Sequence, residues 1–568
     1  MVFRGSAALA LLLTACAPRQ VAKPTATRTY ADVIFHADIV TLDPSKRKQR
    51  PKAVAVRGGR IVHVGTVAGA KKWADDATRV VNWQGLTFLP GFADAHGHLV
   101  GLGRSLGALD LRGSTSFDEV LERTQAYAKE HPGDGWLLGR GWDQNEWKKA
   151  KLPDGEALTT AFPGRPVLLT RVDGHAVVAN RAALDAAGIT AESEDPPGGR
   201  ILRRKKTGEP TGVLVDRAID LVAGAVPPPS ADAIQGMVRA AADHLLSKGI
   251  TQIHDAGTSV EALTAIEALA QAGDLKVRVY AMVDGSSEEG WKLLRWAPRV
   301  GLYDHRLTVR SVKLMADGAL GSRGALLTED YSDDAGNRGL AVTTPHELMA
   351  KAREATERGY QVSIHAIGDA GNRMVLDIFE TIMARALRKG DSPRARIEHA
   401  QVVDPSDHSR MSAMKVVASM QPVHCTSDMG WAGARLGPKR VKWAYAWRSL
   451  SDAGVTLAFG SDTPVEGPDP IVGIHAAVTR TDEQRAPEGG WQVQERIRIE
   501  EALAAYTTGA AHAAFEEELR GTIAVGKLAD FTVLDRNLLE LGPDDVLGTR
   551  VMATVVGGEI AWERREGD

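Results

Sequence analysis

The chain has 568 residues, a net charge of −3 at neutral pH and two cysteines. Because the charge is small and no basic stripe interrupts the sequence, nucleic acid is not expected as a partner. Only Cys425 remains once Cys16 is assigned to the N-terminal segment, so the fold cannot depend on an internal disulfide and needs a packed core, which this length provides easily.

The first sixteen residues read as a signal peptide rather than as part of the fold. An apolar run follows Arg4, and residues 13–16, LTAC, resemble a bacterial lipobox in which Cys16 carries the lipid. An ordinary secretory signal with an accidental cysteine is the alternative. Residues 17–29 are predicted to be a tether, and Ala17, by analogy with known lipoproteins, predicts a periplasm-facing anchor in the outer membrane. No other apolar run is long enough to span a bilayer, so this lipid is predicted to be the only attachment to the membrane.

Both ends of the remaining chain are rich in short strands. Residues 30–81 read as strands with a turn at Gly58-Gly59, and residues 521–535 and 551–562 each read as strand, glycine turn, strand. The two ends are therefore predicted to assemble a small composite β-sandwich domain around a continuous chemistry domain. The predicted boundaries are residues 30–88 and 520–568 for the sandwich, and residues 89–519 for the chemistry domain.

The stretch LPGFADAHGHL, residues 89–99, carries two histidines one residue apart. Alternate side chains of a strand share a face, so His96 and His98 are predicted to point the same way and to be able to bind one metal ion. The small residues Ala95 and Gly97 leave room for the backbone to lie close to that ion.

The middle of the chain alternates strand and helix. Helices are predicted to begin at the caps Ser230 and Thr344, each is predicted to end at a glycine, and an apolar strand follows each one. Eight repeats predict an α/β fold with a closed (β/α)8 TIM-like barrel, and such barrels reach this length as one main domain when they carry insertions. The eight predicted strands lie near Phe92, Thr251, Val277, Val309, Val362, Ile397, Val416 and Leu457. Residues from about 103 to 229 do not fit the repeat and are predicted to be an insertion after the first strand.

Four of the later strands carry a polar side chain near the end of an apolar run. Lys313 lies in LTVRSVKLMADG, His365 in QVSIHA, His399 in ARIEHA and Asp462 in VTLAFGSD. Each has an ordinary explanation on its own, such as a buried histidine bonded to the backbone or an aspartate that caps a helix. Together with the two histidines of the first strand, they place six such residues on five strand ends. Barrel enzymes carry their functional groups at this end, so the pattern indicates one common site.

These motifs together resemble the amidohydrolase superfamily, and within it the family-3, YtcJ-like branch that includes N-substituted formamide deformylase. The resemblance covers nearly the whole chain after the signal peptide. It is carried by LPGFADAHGH, VKLMADGALGSRGALL, HAIGDAGN, IEHAQ and FGSDTPV. It implies a metal-dependent hydrolase that cleaves a non-peptide, amide-type C–N bond in a small molecule, and it leaves the substrate and the oligomeric state open, a homodimer included.

The resemblance also implies a ligand set for two divalent ions. His96 and His98 would hold one ion, and His365 and His399 the other. Lys313 would be carboxylated by carbon dioxide so that its carbamate bridges both ions, and Asp462 would ligate the first ion and act as general base. A zinc pair about 3.5–4 Å apart would lower the pKa of a bridging water towards about 7 and create a nucleophile at neutral pH. Manganese or iron would fit the same ligands.

Further residues are candidates for contacts with a substrate, and each has a structural alternative. Packing within the insertion is the alternative for Trp142 and His175, an ion pair with Asp330 or Asp333 for Arg323, and stabilisation of a turn for His424. His254 is interpreted as a residue of the pocket wall, and the insertion itself as much of the wall on the substrate side. The candidate substrate contacts are Trp142, His175, Arg323, Tyr331 and His424.

Two other functions stay open. A mononuclear deaminase of the same superfamily shares the paired histidines, but such enzymes carry a glutamate shortly after the fifth-strand histidine, where this chain has Ala366 to Asp369, and Lys313 would have no role. A non-catalytic, lipid-anchored binding protein is the second alternative, and the intact set of six metal-binding candidates argues against it.

Overall fold

A computed structural model describes residues 29–46, 49–144, 147–148, 151–171, 176–196, 199–389 and 392–565. The predicted signal peptide with Cys16, most of the predicted tether, and His175 lie outside these residues. Within the described part of the chain, no helix combines the length and apolar character needed to cross a membrane.

Eight parallel strands form the central barrel, and all eight lie where the apolar runs predicted them. With strands numbered in chain order, they are β5 (Phe92–Gly97), β12 (Ile250–Thr258), β13 (Arg278–Asp284), β15 (Leu307–Met315), β16 (Gln361–Ala366), β17 (Arg396–His399), β18 (Val417–Met420) and β19 (Thr456–Phe459). Strand β14 (Arg299–Gly301) pairs antiparallel with β15 outside this order. The TIM-like barrel predicted from the sequence is thus confirmed.

The barrel closes between β5 and the segment after β19. Asp462 N donates to His96 O at 2.7 Å, and His98 N donates to Thr463 O at 2.8 Å. Gly460 permits this approach, because a Cβ atom there would lie 2.4 Å from His96 N. The closure therefore brings the histidine pair of the first strand beside Asp462 of the last.

Two helices of the barrel begin at the predicted caps. Ser230 Oγ accepts from Ala233 N at 3.2 Å, and Thr344 Oγ1 accepts from Glu347 N at 3.3 Å. The helices between and after the barrel strands are Leu99–Leu106, Ala231–Ser247, Val260–Ala272, Glu288–Leu293, Leu302–His305, Pro345–Glu357, Asp369–Arg388, Pro405–Ala413, Pro422–Asp428, Ala432–Arg440, Trp447–Asp452, Pro470–Thr479, Ile499–Ala504 and Ala510–Ala513.

The two ends of the chain meet in one seven-stranded mixed sheet. Its strands are, in spatial order, β22 (Glu559–Glu563), β21 (Val551–Val556), β20 (Phe531–Leu534), β4 (Arg79–Pro90), β1 (Val33–Ile39), β2 (Ala53–Arg57) and β3 (Arg60–Gly65). Phe35 packs against both Phe88 and Phe531, with ring centroids 5.5 and 6.1 Å apart, so residues from both ends share one core. A two-layer sandwich is not confirmed, because strand pairing connects all seven strands into a single sheet.

One predicted strand of this region is wrong. The segment before Gly526 was expected to be the first strand of residues 521–535, but it is irregular. Ile523 packs in the core of the terminal sheet and makes one backbone hydrogen bond, from its N to Thr41 O at 2.9 Å. The apolar run is thus explained by burial of a loop rather than by a strand.

Between β5 and β12 the chain forms a third sheet, with six strands. In spatial order they are β10 (Gly199–Arg203), β11 (Pro210–Asp216), β9 (Ala176–Ala179), β8 (Val167–Arg171), β7 (Leu137–Trp142) and β6 (Leu109–Asp110). The accompanying helices are Phe117–Glu130, Glu156–Ala161, Arg181–Ala186 and Ile219–Ala223, and the short helix Val67–Lys71 belongs to the terminal sheet. The sheet lies within the stretch that the strand–helix repeat could not account for.

A buried ion pair connects the terminal sheet to the barrel. Arg278, at the start of β13, donates from Nε and Nη2 to the two carboxylate oxygens of Asp530 at 2.7 and 2.9 Å. Burial raises the pKa of Asp530, but the charge and hydrogen bonds of Arg278 outweigh it and bring the value to about 2. The carboxylate is therefore charged at neutral pH and is neutralised where the two parts of the chain meet.

We expect the Asp530→Asn variant to lose about 3–5 kcal/mol of unfolding free energy, because it leaves a buried arginine without its counter-charge. A carboxylate whose pKa is lowered by folding stabilises the protein above its ordinary value of 3.8 and loses that contribution only as the pH falls towards about 2. The deficit should thus be the same at pH 5 and pH 8 in denaturant titrations. Asp535→Asn, which removes an exposed pair with Arg550, is the control. Equal stability of Asp530→Asn and the wild type would show that the pair does not join the two parts.

Candidate metal centre

The two histidines of the first strand converge on one carboxylate. His98 Nε2 donates to Asp462 Oδ1 at 3.0 Å, and His96 Nε2 lies 3.5 Å from the same oxygen. Strand β5 ends at Gly97, one residue earlier than the predicted pairing assumed, and His98 occupies the N-cap position of the following helix without a side-chain capping bond. The two imidazoles nevertheless reach one point, as the alternation along a strand predicts.

The histidines of β16 and β17 lie beside this group. The ring centroid of His399 is 4.8 Å from that of His96 and 4.5 Å from that of His365. Burial, followed by the charge of Lys313, lowers the pKa of His96 to about 4 and that of His365 to about 3. Burial also lowers the pKa of His399 well below its ordinary value. These imidazoles are therefore neutral at pH 7, the form in which histidine binds metal ions.

Lys313 is buried in β15 among these groups. Burial lowers the pKa of its amine, while the charges of Glu398 and Asp462 act in the opposite direction. The charge of Lys313 also lowers the pKa of His399, so its amine lies within electrostatic range of the imidazole cluster. No structural role is evident for a buried ammonium beside neutral histidines, so Lys313 is a candidate for a functional role.

Asp462 and His399 have unusual backbone conformations. Their φ angles are +60° and +76°, in the left-handed region that residues other than glycine rarely adopt. Burial raises the pKa of Asp462, but the hydrogen bond from His98 and the neighbouring imidazoles outweigh it, so the pKa lies well below 3.8. The chain thus holds an ionised carboxylate and a neutral imidazole on strained backbone. Residues with strained backbone conformations cluster at functional sites.

Glu398 and Gln421 orient the histidines from behind. His96 Nδ1 donates to Glu398 Oε2 at 2.5 Å, and His399 Nδ1 donates to Gln421 Oε1 at 2.9 Å. Both contacts leave Nε2 of the ring directed towards the centre. Arg396 in turn donates to Glu398 Oε1 at 2.7 Å and neutralises it. Contacts of this kind fix the tautomer and direction of metal-binding histidines.

The residues fit a metal ion. Nε2 of both His96 and His365 is buried and has no hydrogen-bond partner within the described residues. Such unpaired buried atoms are costly unless something binds them. One ligand atom each of His96, His399 and Asp462 lies within 4.8 Å of the other two. This tightest group spans residues that the two-ion hypothesis assigns to different ions.

The other predicted substrate contacts do not all meet at this centre. His424 does, with Nε2 3.8 Å from Asp462 Oδ2. Trp142 is buried in the core of the insertion sheet, where its Nε1 donates to Leu169 O. Its contacts favour the packing alternative.

Tyr331 and Arg323, two candidate substrate contacts after β15, form a hydrogen bond and an ion pair with other residues of the protein. His254, in the barrel interior, also forms a hydrogen bond. Tyr331 is buried and donates from its hydroxyl to Ala325 O at 2.8 Å. Arg323 pairs with Asp333 at 3.0 Å, which is the ion pair considered from the sequence. His254 accepts from Arg396 Nη1 at 3.0 Å, below the metal centre.

Besides Gln421, the sequence reasoning missed four charged residues that shape the site. Arg396 and Glu398 lie two residues apart on a short strand. Alternate residues of a strand share a face, so this spacing was the available signal that both side chains lie on the same face inside the barrel. Asp317 accepts from Ile367 N and Gly368 N at 3.0 and 2.8 Å and lies 3.7 Å from His365 Nε2. Asp94 accepts from His96 N and Ser461 N at 3.1 and 3.0 Å and supports the barrel closure.

Replacing Glu398 with glutamine should lower zinc affinity about 10- to 100-fold, because His96 loses its charged acceptor and Arg396 its counter-charge. Competition with a chromophoric chelator measures this affinity. Glu495→Gln is the matched control, since Glu495 is also buried but accepts from Ser449 N and Oγ away from the centre. Unchanged zinc affinity in Glu398→Gln would remove Glu398 from the account of the site.

Known proteins resemble this chain over nearly its whole length. The sequence pattern of the amidohydrolase family matches residues 79–561. YtcJ of Bacillus subtilis (strain 168) is 35% identical over 91% of this chain and 96% of its own. N-substituted formamide deformylase of Arthrobacter pascens is 27% identical over 94% of this chain and 98% of its own. The crystal structure of an uncharacterized metal-dependent hydrolase from Pyrococcus horikoshii OT3 superposes with a TM-score of 0.76 at 29% identity, covering 90% of this chain and 99% of that one.

Proposed function

The chain belongs to the amidohydrolase family, in the branch of YtcJ and N-substituted formamide deformylase, and from that premise we propose that it hydrolyses a non-peptide C–N bond of a small amide-type substrate. The observation that carries this proposal is the convergence of His96 and His98 on Asp462, beside the two further imidazoles. The deformylase of that branch acts, by its name, on an N-substituted formamide.

Six side chains would hold two divalent ions. His96, His98 and Asp462 would bind the first ion and His365 and His399 the second, with Lys313 between them. Zinc suits this set of imidazoles and carboxylates, although manganese or iron would also be accepted. When bound, such ions supply an activated water and polarise a carbonyl group.

Lys313 is proposed to carry a carboxyl group. An uncharged lysine amine adds carbon dioxide to form a carbamate and releases one proton, and burial favours that uncharged amine. The product is an anion with two oxygens, whereas a lysine ammonium would repel the ions. This explains why a lysine occupies a barrel strand in the middle of four histidines.

Asp462 is proposed to be the general base. Its ionised carboxylate accepts a proton from water as the water oxygen bonds to the carbonyl carbon, and then passes that proton to the leaving nitrogen. The left-handed backbone at Asp462 fixes the direction of the carboxylate. The C–N bond breaks as the nitrogen becomes protonated, which yields an acid and an amine.

The test is a hydrolysis screen of N-formyl and N-acyl amines and of N-acyl amino acids, with zinc and bicarbonate supplied. We expect release of an amine from at least one class, detected with an amine-reactive dye, and release about 10²- to 10⁴-fold slower by the Asp462→Asn variant. A wild-type protein that carries its metal ions and hydrolyses none of these amides would contradict the proposal.

A mononuclear deaminase remains the second candidate because the tightest ligand group combines His96, His399 and Asp462 in one cluster. Such an enzyme would release ammonia from an aromatic amine and would need one ion per chain. The same screen should include aminopyrimidines and aminopurines, with ammonia as the readout. Ammonia release from these compounds without hydrolysis of amides would favour this candidate.

The cell-envelope location remains a separate proposal. Cys16 is proposed to carry a lipid that anchors the protein in the outer membrane on the periplasmic side. Mass spectrometry of the mature N-terminus, with Cys16→Ser as the control variant, tests it. A mature chain with an unmodified N-terminus would contradict it.

A further inference from the structure

A fifth imidazole reaches the candidate metal centre from the seventh barrel strand. His424 lies in the helix Pro422–Asp428, directly after β18. Its ring is nearly parallel to that of His399, with the centroids 6.1 Å apart and an angle of 12° between the planes. Its Nε2 lies 3.8 Å from Asp462 Oδ2, which is beyond hydrogen-bond distance.

The Nε2 atom of His424 is buried and lacks a hydrogen-bond partner within the described residues. The six proposed metal ligands form a complete set without it. A buried ring nitrogen without a hydrogen-bond partner costs folding free energy. A bound molecule that supplies the partner would remove that cost. The atom lies 3.8 Å from Oδ2 of Asp462, the carboxylate proposed as the base.

The helix of His424 is fixed to the strand that carries His399. Gln421, just before the helix, accepts from His399 Nδ1 at 2.9 Å. Asp428, at the other end, accepts from Tyr445 Oη at 2.5 Å and from Gln401 Nε2 at 3.3 Å. The helix that carries His424 is therefore held in place at both ends, and donors positioned in advance are effective in catalysis.

We propose that His424 donates a hydrogen bond from Nε2 to the carbonyl oxygen of the substrate. This inference rests on the proposed amide hydrolysis. As the water oxygen bonds to the carbonyl carbon, the π electron pair moves onto the carbonyl oxygen, and the negative charge there strengthens the bond from Nε2–H. The proton stays on His424 throughout, while Asp462 carries the proton that travels from water to the leaving nitrogen.

Two variants separate this role from metal binding and from packing. His424→Ala should lower kcat about 10²- to 10³-fold, because the donor acts mainly on the charged oxygen of the transition state, with little change in KM. Metal content should equal that of the wild type. His424→Gln keeps an N–H group near the same position and should recover part of kcat. His346→Ala, at an exposed histidine of the helix Pro345–Glu357, is the matched control.

A binding measurement tests the same role without turnover. Methylphosphonate is a stable tetrahedral oxyanion, and its affinity for metal-loaded protein can be measured by calorimetry. We expect binding to His424→Ala to be about 10- to 100-fold weaker than to the wild type, as expected for loss of a hydrogen bond to a charged group. His424→Leu, which also lacks the donor but fills more of the space, should behave in the same way if the alanine variant folds poorly.

The outcomes are distinct. Equal methylphosphonate affinity in wild type and variants, or no binding to the wild type, overturns the role of His424. Loss of metal from His424→Ala also overturns it, because the residue would then be a ligand. If the wild type hydrolyses no amide, the proposed function fails, while weaker methylphosphonate binding by the variants would still support His424 as an oxyanion donor.

Discussion

Replacing Lys313 with alanine is expected to remove the metal centre and catalysis together. The variant lacks the proposed carbamate, so the site would lose the anionic group that offsets the charge of the two proposed ions. We expect metal content to fall from about two ions per chain to less than one. We expect kcat/KM to fall on the order of 10³-fold or more, which corresponds to about 4 kcal/mol of transition-state stabilisation.

Three measurements check this expectation. Elemental analysis gives the metal content, amine release gives the rate, and ¹³C NMR of wild-type protein loaded with ¹³C-bicarbonate gives the carbamate signal, which should be absent from Lys313→Ala. Lys276→Ala is the control, since Lys276 forms an exposed pair with Asp243 outside the site. Full metal content and full activity in Lys313→Ala would refute the bridging role.

The second large effect is expected from Asp462→Asn. The asparagine keeps the shape of the side chain but has no negative charge to accept a proton, and it binds a metal ion more weakly. Loss of a general base costs about 10²- to 10⁴-fold in rate. The expected result is a fall in kcat of that size that persists at saturating zinc, because added metal restores the ion but not the base.

The control for this variant is Asp535→Asn, which changes a carboxylate of the terminal sheet that pairs with Arg550. It should have wild-type kcat and metal content. A wild-type kcat in Asp462→Asn at saturating zinc would mean that another group accepts the proton, and the assignment of Asp462 as base would be wrong.

The barrel could be predicted from the sequence because each of its strands is a short apolar run with its own boundaries. Ser230 and Thr344 mark helix starts by a local rule, and both cap as predicted. The sheet of residues 109–216 was not predicted, because its strands pair in an order that local patterns do not encode. The strand predicted around Ile523 was wrong for a different reason, since burial in a loop and burial in a strand leave the same apolar signal.

The candidate site divides in a similar way. Lys313, His365, His399 and Asp462 could be found from the sequence because each polar side chain lies near the end of an apolar run. The roles of Glu398 and Gln421 depend on which neighbouring strand each one faces, and this is fixed only by the closed barrel. Tyr331 and Arg323 carry functional groups, but their nearest partners, Ala325 and Asp333, lie close in the chain and bind them locally.

The central claim is that side chains from five barrel strands hold a pair of metal ions, and the metal content of the purified wild-type protein tests it most directly. Inductively coupled plasma mass spectrometry on protein produced with zinc and bicarbonate should give about two divalent ions per chain. One ion per chain would contradict the two-ion centre, and none would contradict the metal centre altogether.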